Sequence, residues 1–175
     1  MEGVKRIRDF MIPVAEYPSV RDNATLREVI DVTVNAELEV GRQRSLPRVI
    51  LVFDGIDVLV GYIRRRDIMR GLEPDFLVSQ PLDYRQKLFD VSVDPNLSEV
   101  MYDRVVKGIQ SKADRLVVEV MRPLEATIEA DDHLMKAIYE MVSLNISMVP
   151  VLHEGQLVGV VRSADVFREL AELLR

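Results

Sequence analysis

The sequence predicts a mixed α/β (α+β) fold of two pseudo-symmetric β-α-β-β-α repeats, packed through their sheets, with a helical segment inserted between them. Residues 59–68 and 157–166 share one pattern. Each stretch reads as an apolar strand, a short polar or basic turn, and a helix that opens with Asp67 or Asp165. One such unit is too small to close a core alone, so we expect two copies to pack together.

The repeat extends upstream to two matching triplets, Met11-Ile12-Pro13 and Met121-Arg122-Pro123. Pro13 and Pro123 are 110 residues apart, whereas Asp67 and Asp165 are 98 apart, so the first copy is 12 residues longer. Most of the extra length falls near 37–47, which predicts an inserted surface loop. The predicted units are therefore a first repeat over 4–71, an intervening segment over 72–116 and a second repeat over 117–175.

The second copy shows its elements most clearly. Apolar residues recur at helical spacing between 132 and 144, and Asp131 or Asp132 is the expected N-cap of that helix. Ser163 is the expected N-cap of a last helix that runs to Leu174. The predicted strands are Thr127 with Ile128, residues 148–152 and residues 157–161, the last two joined by a turn at 153–156.

The intervening segment carries an amphipathic pattern over 97–110, which predicts a helix. Such a helix either covers exposed sheet or core, or presents a face to a partner protein. It is too structured for a flexible linker.

Composition and the absence of known motifs argue against several functional classes. The net charge is −6, which disfavours nucleic-acid binding, and the chain has no cysteine for a disulfide or a thiolate metal site. No apolar run approaches the roughly 20 residues that span a bilayer, and no secretory leader is recognisable, so a cytoplasmic protein without a membrane partner is expected. No nucleophile, phosphate-loop or zinc-protease motif occurs, so the chain is not expected to be an enzyme.

The strand-to-helix turns concentrate the chemistry that a ligand would use. Backbone N–H groups at a helix start favour anions, and arginine side chains there can bind phosphate in bidentate hydrogen bonds. The candidates are Arg64, Arg65, Arg66 and Arg162. The alternative is that these arginines are a solvated face and that the two aspartates only stabilise their helices.

The ordered elements, found twice, resemble a tandem CBS-domain protein, also called a Bateman module. The resemblance rests on the Met-x-Pro triplets, on the strand that contains Pro150, and on the endings at Gly61–Asp67 and Gly159–Asp165. It implies two clefts between the repeats that hold AMP, ADP, ATP or another adenosyl compound, with no required cofactor. Asp67 and Asp165 are the implied acceptors for the ribose hydroxyls. Arginine occupies positions 64 and 162, where this family often has a hydroxyl residue.

The second cleft is the expected binding site, because the first copy has Leu51 where the second has Pro150 and also carries the inserted loop. The residues expected around its ligand are Asp165, Arg162, Ser163, Thr127, Ile128, Met148, Val149 and Pro150. For the apolar members of this set, core packing is the alternative role.

Two functions remain open at this stage. The first is a regulatory module that senses a nucleotide and passes its occupancy to a dimer mate or a separate effector protein. The second is a structural interaction protein with empty clefts that docks through the 97–110 helix. The resemblance also implies a homodimer.

Overall fold

The computed structural model of the chain describes residues 5–36, 38–40, 43–75 and 95–175, without the side chains of 38–40, 43–45 and 95–100. The strands are β1 (Ile12–Pro13), β2 (Ser19–Arg21), β3 (Leu38–Val40), β4 (Gln43–Ser45), β5 (Val49–Phe53), β6 (Leu59–Arg64), β7 (Ile128–Glu129), β8 (Met148–His153) and β9 (Gln156–Arg162). The helices are α1 (Leu26–Asn35), α2 (Arg65–Leu72), α3 (Pro95–Lys112), α4 (Leu134–Leu144) and α5 (Ser163–Leu173).

The two repeats have the same topology. In the first, β2 pairs in parallel with β5, which pairs antiparallel with β6; in the second, β7, β8 and β9 are arranged in the same way. The helices α1 and α2 accompany the first sheet, and α4 and α5 accompany the second. This β-α-β-β-α order in both copies confirms the predicted fold class.

The opening segment of each repeat crosses to the other repeat. β1 pairs with β9, Ile12 lying opposite Val160, and Arg122 pairs with Tyr62 in the same antiparallel way. Glycine is required at each crossing: a Cβ on Gly61 would lie 2.4 Å from the Arg122 carbonyl oxygen, and one on Gly159 would lie 2.5 Å from that of Ile12. The exchanged segments therefore interlock the two repeats.

Three apolar clusters form the core of the described part of the chain. One fills each repeat between its sheet and helices, and exchanged residues complete both: Ile7 belongs to the second-repeat cluster and Val117 to the first-repeat cluster. The third cluster lies between the sheets and is made by Ile12, Tyr17, Val49, Leu51, Tyr62, Met148 and Val160. The repeats are thus packed through their sheets, as predicted.

The inserted residues near 37–47 contain more regular structure than the predicted loop. β3 and β4 form an antiparallel pair between α1 and β5, with Val40 opposite Gln43. Residues 37, 41 and 42 lie outside the described part of the chain. The prediction of an inserted surface loop did not include this strand pairing.

The N-cap predicted for α4 also differs. His133 holds that position, and Asp132 instead accepts a hydrogen bond from the backbone N–H of Glu129 at 2.9 Å. Asp132 thus closes the turn before the helix, and Asp131 forms an ion pair with Arg8.

The helix expected over 97–110 lies within α3, while residues 76–94 lie outside the described chain. The end of α3 packs against the end of α2, where a Cβ on Gly108 would lie 3.2 Å from Pro74. Among the described residues, no helix is long and apolar enough to cross a membrane.

Candidate functional site

The helix α5 begins with an arginine–aspartate fork. Arg162 is the N-cap, and its backbone N–H donates to Oδ2 of Asp165 at 3.0 Å. Its guanidinium also donates from Nε to Oδ2 at 2.9 Å and from Nη2 to Oδ1 at 2.8 Å. The carboxylate is only 2% exposed. The prediction that Ser163 caps this helix was wrong: Ser163 is the first helical residue, because Asp165 satisfies the cap from within the helix.

The helix α2 begins with the equivalent fork between Arg64 and Asp67. Oδ2 of Asp67 accepts from the backbone N–H and from Nε of Arg64 at 3.1 and 2.7 Å, and Oδ1 accepts from Nη2 at 2.9 Å. A second guanidinium, that of Arg122, donates from Nε to Oδ1 at 3.2 Å. Burial acts to raise the pKa of Asp67, but the hydrogen bonds from Arg64 and Arg122 outweigh it and lower the pKa to about 2.

These forks change the roles expected of the two aspartates. An ionised carboxylate offers about four acceptor positions. All four are used at Asp67, whereas Asp165 accepts three hydrogen bonds from Arg162, and Nη1 of Arg168 lies 4.0 Å away. In this arrangement the aspartates lie behind arginine side chains, so the guanidinium groups are the parts of the fork that face the clefts.

A cavity of about 440 Å³, the second cleft, lies beside Arg162 between the repeats. Both repeats contribute to its walls: Tyr17, Leu46, Arg48 and Val49 from the first, and Ser147, Met148, Arg162, Ser163, Ala164, Phe167 and Arg168 from the second. Three of these side chains are guanidinium groups, and none of the described residues lining the cleft carries a carboxylate. The start of α5 also opens here, which adds the positive end of a helix dipole.

The apolar surface of this cleft includes two aromatic rings. Tyr17 is 4% exposed, and its hydroxyl donates to the Val49 carbonyl at 3.2 Å. Burial raises the pKa of Tyr17 to about 12. Phe167 is 72% exposed on α5 and offers an open ring face at the rim.

A smaller cavity of about 150 Å³, the first cleft, lies beside Arg64. Its lining is Val49, Tyr62, Arg64, Asn145, Ile146, Ser147, Met148 and Ser163. The two clefts share Val49, Ser147, Met148 and Ser163, so they meet where the two sheets pack together.

The residues expected around an adenine do not all come together. Met148 lies in both clefts, but its neighbour Val149 is fully buried in the second-repeat core, as is Ile128. Side chains alternate along a strand, so residues 148 and 149 cannot face the same side. Thr127 and Pro150 line a different cavity of about 560 Å³, together with Val14 and Leu124.

The remaining basic candidates also separate. Arg65 and Arg66 lie on the exposed surface of α2, and Arg66 lines a groove against α3 rather than the first cleft. Sequence reasoning missed Arg48 and Arg168. Arg168 follows Asp165 by three residues on one helix, and this spacing predicts that the two side chains are neighbours. Arg48 comes from the other repeat, and only the packing of the two sheets brings it to this cleft.

Among the described residues, no group of three or more histidine, aspartate or glutamate side chains is placed to hold a metal ion.

Comparison with known proteins agrees with this architecture. The sequence pattern of the CBS domain matches residues 7–74 and 117–172. No curated protein matches the chain significantly.

Several solved structures share the fold. CBSX2, a CBS-pair protein from Arabidopsis thaliana, has a TM-score of 0.65 and 16% identity over 98% of each chain. A structure of CBSX2 in complex with AMP has a TM-score of 0.61 and 18% identity over 97% of this chain and 98% of that one. The CBS domain of a bacterial CNNM/CorC family Mg²⁺ transporter in complex with ATP has a TM-score of 0.58 and 18% identity, covering 95% and 87%. At these identities the likeness is one of fold.

Proposed function

Because the chain belongs to the CBS-domain family, with two of its domains in tandem, we propose that it is a regulatory module that binds an adenine nucleotide in the second cleft. The observation that carries the proposal is the composition of that cleft. It combines three arginine side chains and a helix start with an apolar wall, and its volume of about 440 Å³ falls in the range of roughly 300–1,000 Å³ typical of ligand sites.

The proposed contacts divide the nucleotide between these surfaces. The phosphates lie against Arg48, Arg162 and Arg168, since guanidinium groups bind phosphate oxygens in charge-assisted hydrogen bonds. The adenine lies against Val49 and Met148, where strand side chains form an apolar floor. Asp165 holds Arg162 in place, and its remaining acceptor position is the one available to a ribose hydroxyl.

Two of the similar proteins support this choice of ligand, because one was solved with AMP and one with ATP. Adenine nucleotides are abundant in the cytoplasm, which is the compartment we propose. No catalytic step is proposed.

A regulatory output follows from the shared walls of the cleft. Arg48 belongs to the first repeat and Arg168 to the second, so a bound phosphate would tie the repeats together. A ligand shifts an equilibrium only if it binds one arrangement better than the other. We propose that a homodimer or a separate effector reads this difference; Met135, Tyr139 and Val142 make an exposed apolar stripe on α4 that suits such a contact. Sedimentation velocity with and without ATP measures whether the nucleotide changes the fraction of dimer.

A second candidate function is a protein-interaction module without a small-molecule ligand. It is favoured by α3, where Tyr102 is 69% exposed and Met101 40% exposed. Binding to a partner that persists when the second cleft is disabled would support this alternative.

Thermal unfolding with AMP, ADP, ATP, S-adenosylmethionine and NAD tests the leading proposal. A ligand at 100 times its Kd adds about 2.7 kcal/mol of stability, which corresponds to a rise in Tm of roughly 5–10 °C for a chain of this size. The double variant R48A/R168A should weaken nucleotide binding at least tenfold. The matched control is R70A, since Arg70 follows Asp67 on α2 just as Arg168 follows Asp165 on α5. No shift with any of the five compounds would overturn the proposal.

A further inference from the structure

The surroundings of Asp67 and Asp165 differ at three equivalent positions. The strand register establishes two of the equivalences, because Arg122 pairs with Tyr62 as Ile12 pairs with Val160. The third pair stands two residues after the proline of each Met-x-Pro triplet. In every pair the polar and larger side chain lies on the Asp67 side. Tyr62, which lines the first cleft, stands where the other copy has Val160; Arg122 stands where it has Ile12, and Glu125 where it has Ala15.

The three polar side chains form a connected group around Asp67. Nε of Arg122 donates to Oδ1 of Asp67 at 3.2 Å, and Nη1 of Arg122 lies 4.0 Å from Oε1 of Glu125. The hydroxyl of Tyr62 donates to the same glutamate oxygen at 3.4 Å. Glu125 thus balances the charge of Arg122, and Arg122 occupies the last acceptor position of Asp67.

No equivalent group reaches Asp165 among the described residues. Ile12 and Val160 are apolar and pack in the cluster between the sheets. Ala15 has only a methyl side chain and cannot form the ion pair that Glu125 forms with Arg122. The volumes agree with this difference: about 150 Å³ for the first cleft lies below the usual range of ligand sites, and about 440 Å³ for the second lies within it.

We propose that Arg122 and Glu125 form an internal plug that closes the first cleft, so that each chain binds one nucleotide. Arg122 uses the acceptor position on Asp67 that a ligand hydroxyl would otherwise use. Its backbone is held against β6 by two hydrogen bonds with Tyr62, at 2.8 and 3.0 Å. The number of bound nucleotides rests on the proposed function; the existence of the plug does not.

Equilibrium dialysis with radiolabelled ATP at saturation tests the number of sites. The wild type should bind one ATP per chain. The variant R122I/E125A carries the residues of the equivalent positions 12 and 15, and it should raise the number towards two. If R122I/E125A does not fold, R122Q removes the same guanidinium and keeps a polar side chain. Two ATP per wild-type chain, or one per chain in a folded plug variant, would overturn the proposal.

A double-mutant cycle tests the plug without any nucleotide. The substitutions D67N and R122I, combined, should show a coupling of at least fivefold in the unfolding equilibrium constant measured in urea, because the two side chains interact directly. The control cycle of D165N with R122I should be additive within about twofold, since Asp165 is bonded by Arg162 instead.

The two experiments separate the possible failures. If D67N and R122I are additive, the plug is absent. If they couple but the wild type binds no ATP, the plug stands, the proposed nucleotide function fails, and with it the claim of one site per chain.

Discussion

At the scale of single residues, Asp67 and Asp165 stabilise the starts of their own helices through the arginine three positions earlier. Each carboxylate accepts the N-cap backbone N–H and two guanidinium bonds. Such charge-assisted hydrogen bonds are stronger than neutral ones. The arginines of both forks line the clefts, and the proposed phosphate contact in the second cleft depends on Arg162.

The depressed pKa of Asp67 makes stability depend on pH. The group titrates near 3.8 in the unfolded chain and at about 2 in the folded protein. Its contribution of about 2 kcal/mol is therefore fully present above pH about 5 and is lost as the pH falls towards 2. We expect the difference in unfolding free energy between the wild type and D67N to shrink by about 1 kcal/mol between pH 7 and pH 3. Urea denaturation measures it, and a constant difference would contradict the assigned bonds.

At the scale of elements, the crossings of the opening segments depend on two glycines. Gly61 on β6 and Gly159 on β9 each lie against the backbone of the other repeat's opening segment. The atom nearest to an added Cβ is a backbone carbonyl oxygen, which cannot rotate away as a side chain could. The matching glycines of the repeat are therefore explained by close approach of two backbones, and each crossing joins a strand of one repeat to the opening segment of the other.

The substitution G159A tests this contact. The new methyl group would lie 2.5 Å from the Ile12 carbonyl oxygen, so β1 must move, and we expect a loss of about 2 kcal/mol in unfolding free energy. G55A is the matched control, because a Cβ on Gly55 meets nothing within 4 Å. Chemical denaturation should place the control within about 0.5 kcal/mol of the wild type; equal losses in the two variants would show that crowding is not the cause.

At the scale of the whole molecule, each repeat completes the core of the other. Ile7 belongs to the opening segment of the first repeat but is fully buried in the second, and Val117 shows the reverse. Lys5 adds a polar link, with its Nζ 2.5 Å from the buried Glu169 on α5. The second cleft is consequently built on an interlocked scaffold, and residues of both repeats line it.

The exchange of opening segments predicts which repeat is destabilised when a buried side chain is truncated. I7A should lower the free energy of unfolding by about 3 kcal/mol and V117A by about 2 kcal/mol, because each substitution leaves a cavity in the core. In hydrogen exchange, I7A should lower protection first in β8 and β9, and V117A first in β5 and β6. If each variant instead loosened the repeat that carries its own residue in sequence, the exchange of segments would be wrong.

The sequence by itself determined the duplicated β-α-β-β-α order, the helix within the intervening segment and the strand-to-helix turns where a ligand would lie. These features depend on the spacing of apolar residues and on helix N-caps, and both are set by residues close together in the sequence. The sequence did not separate the positions of four predicted site residues. Ile128 and Val149 are buried in the second-repeat core, whereas Thr127 and Pro150 line another cavity, because side chains alternate along a strand.

Only the tertiary structure decided which groups meet at each cleft. Arg48 reaches the second cleft from the other repeat, and Arg122 reaches Asp67 from a sequence distance of 55 residues. Such contacts are set by how two sheets pack and by which segment crosses to which repeat, and no local pattern records them. For this reason two nearly identical sequence motifs end in clefts of different size and charge.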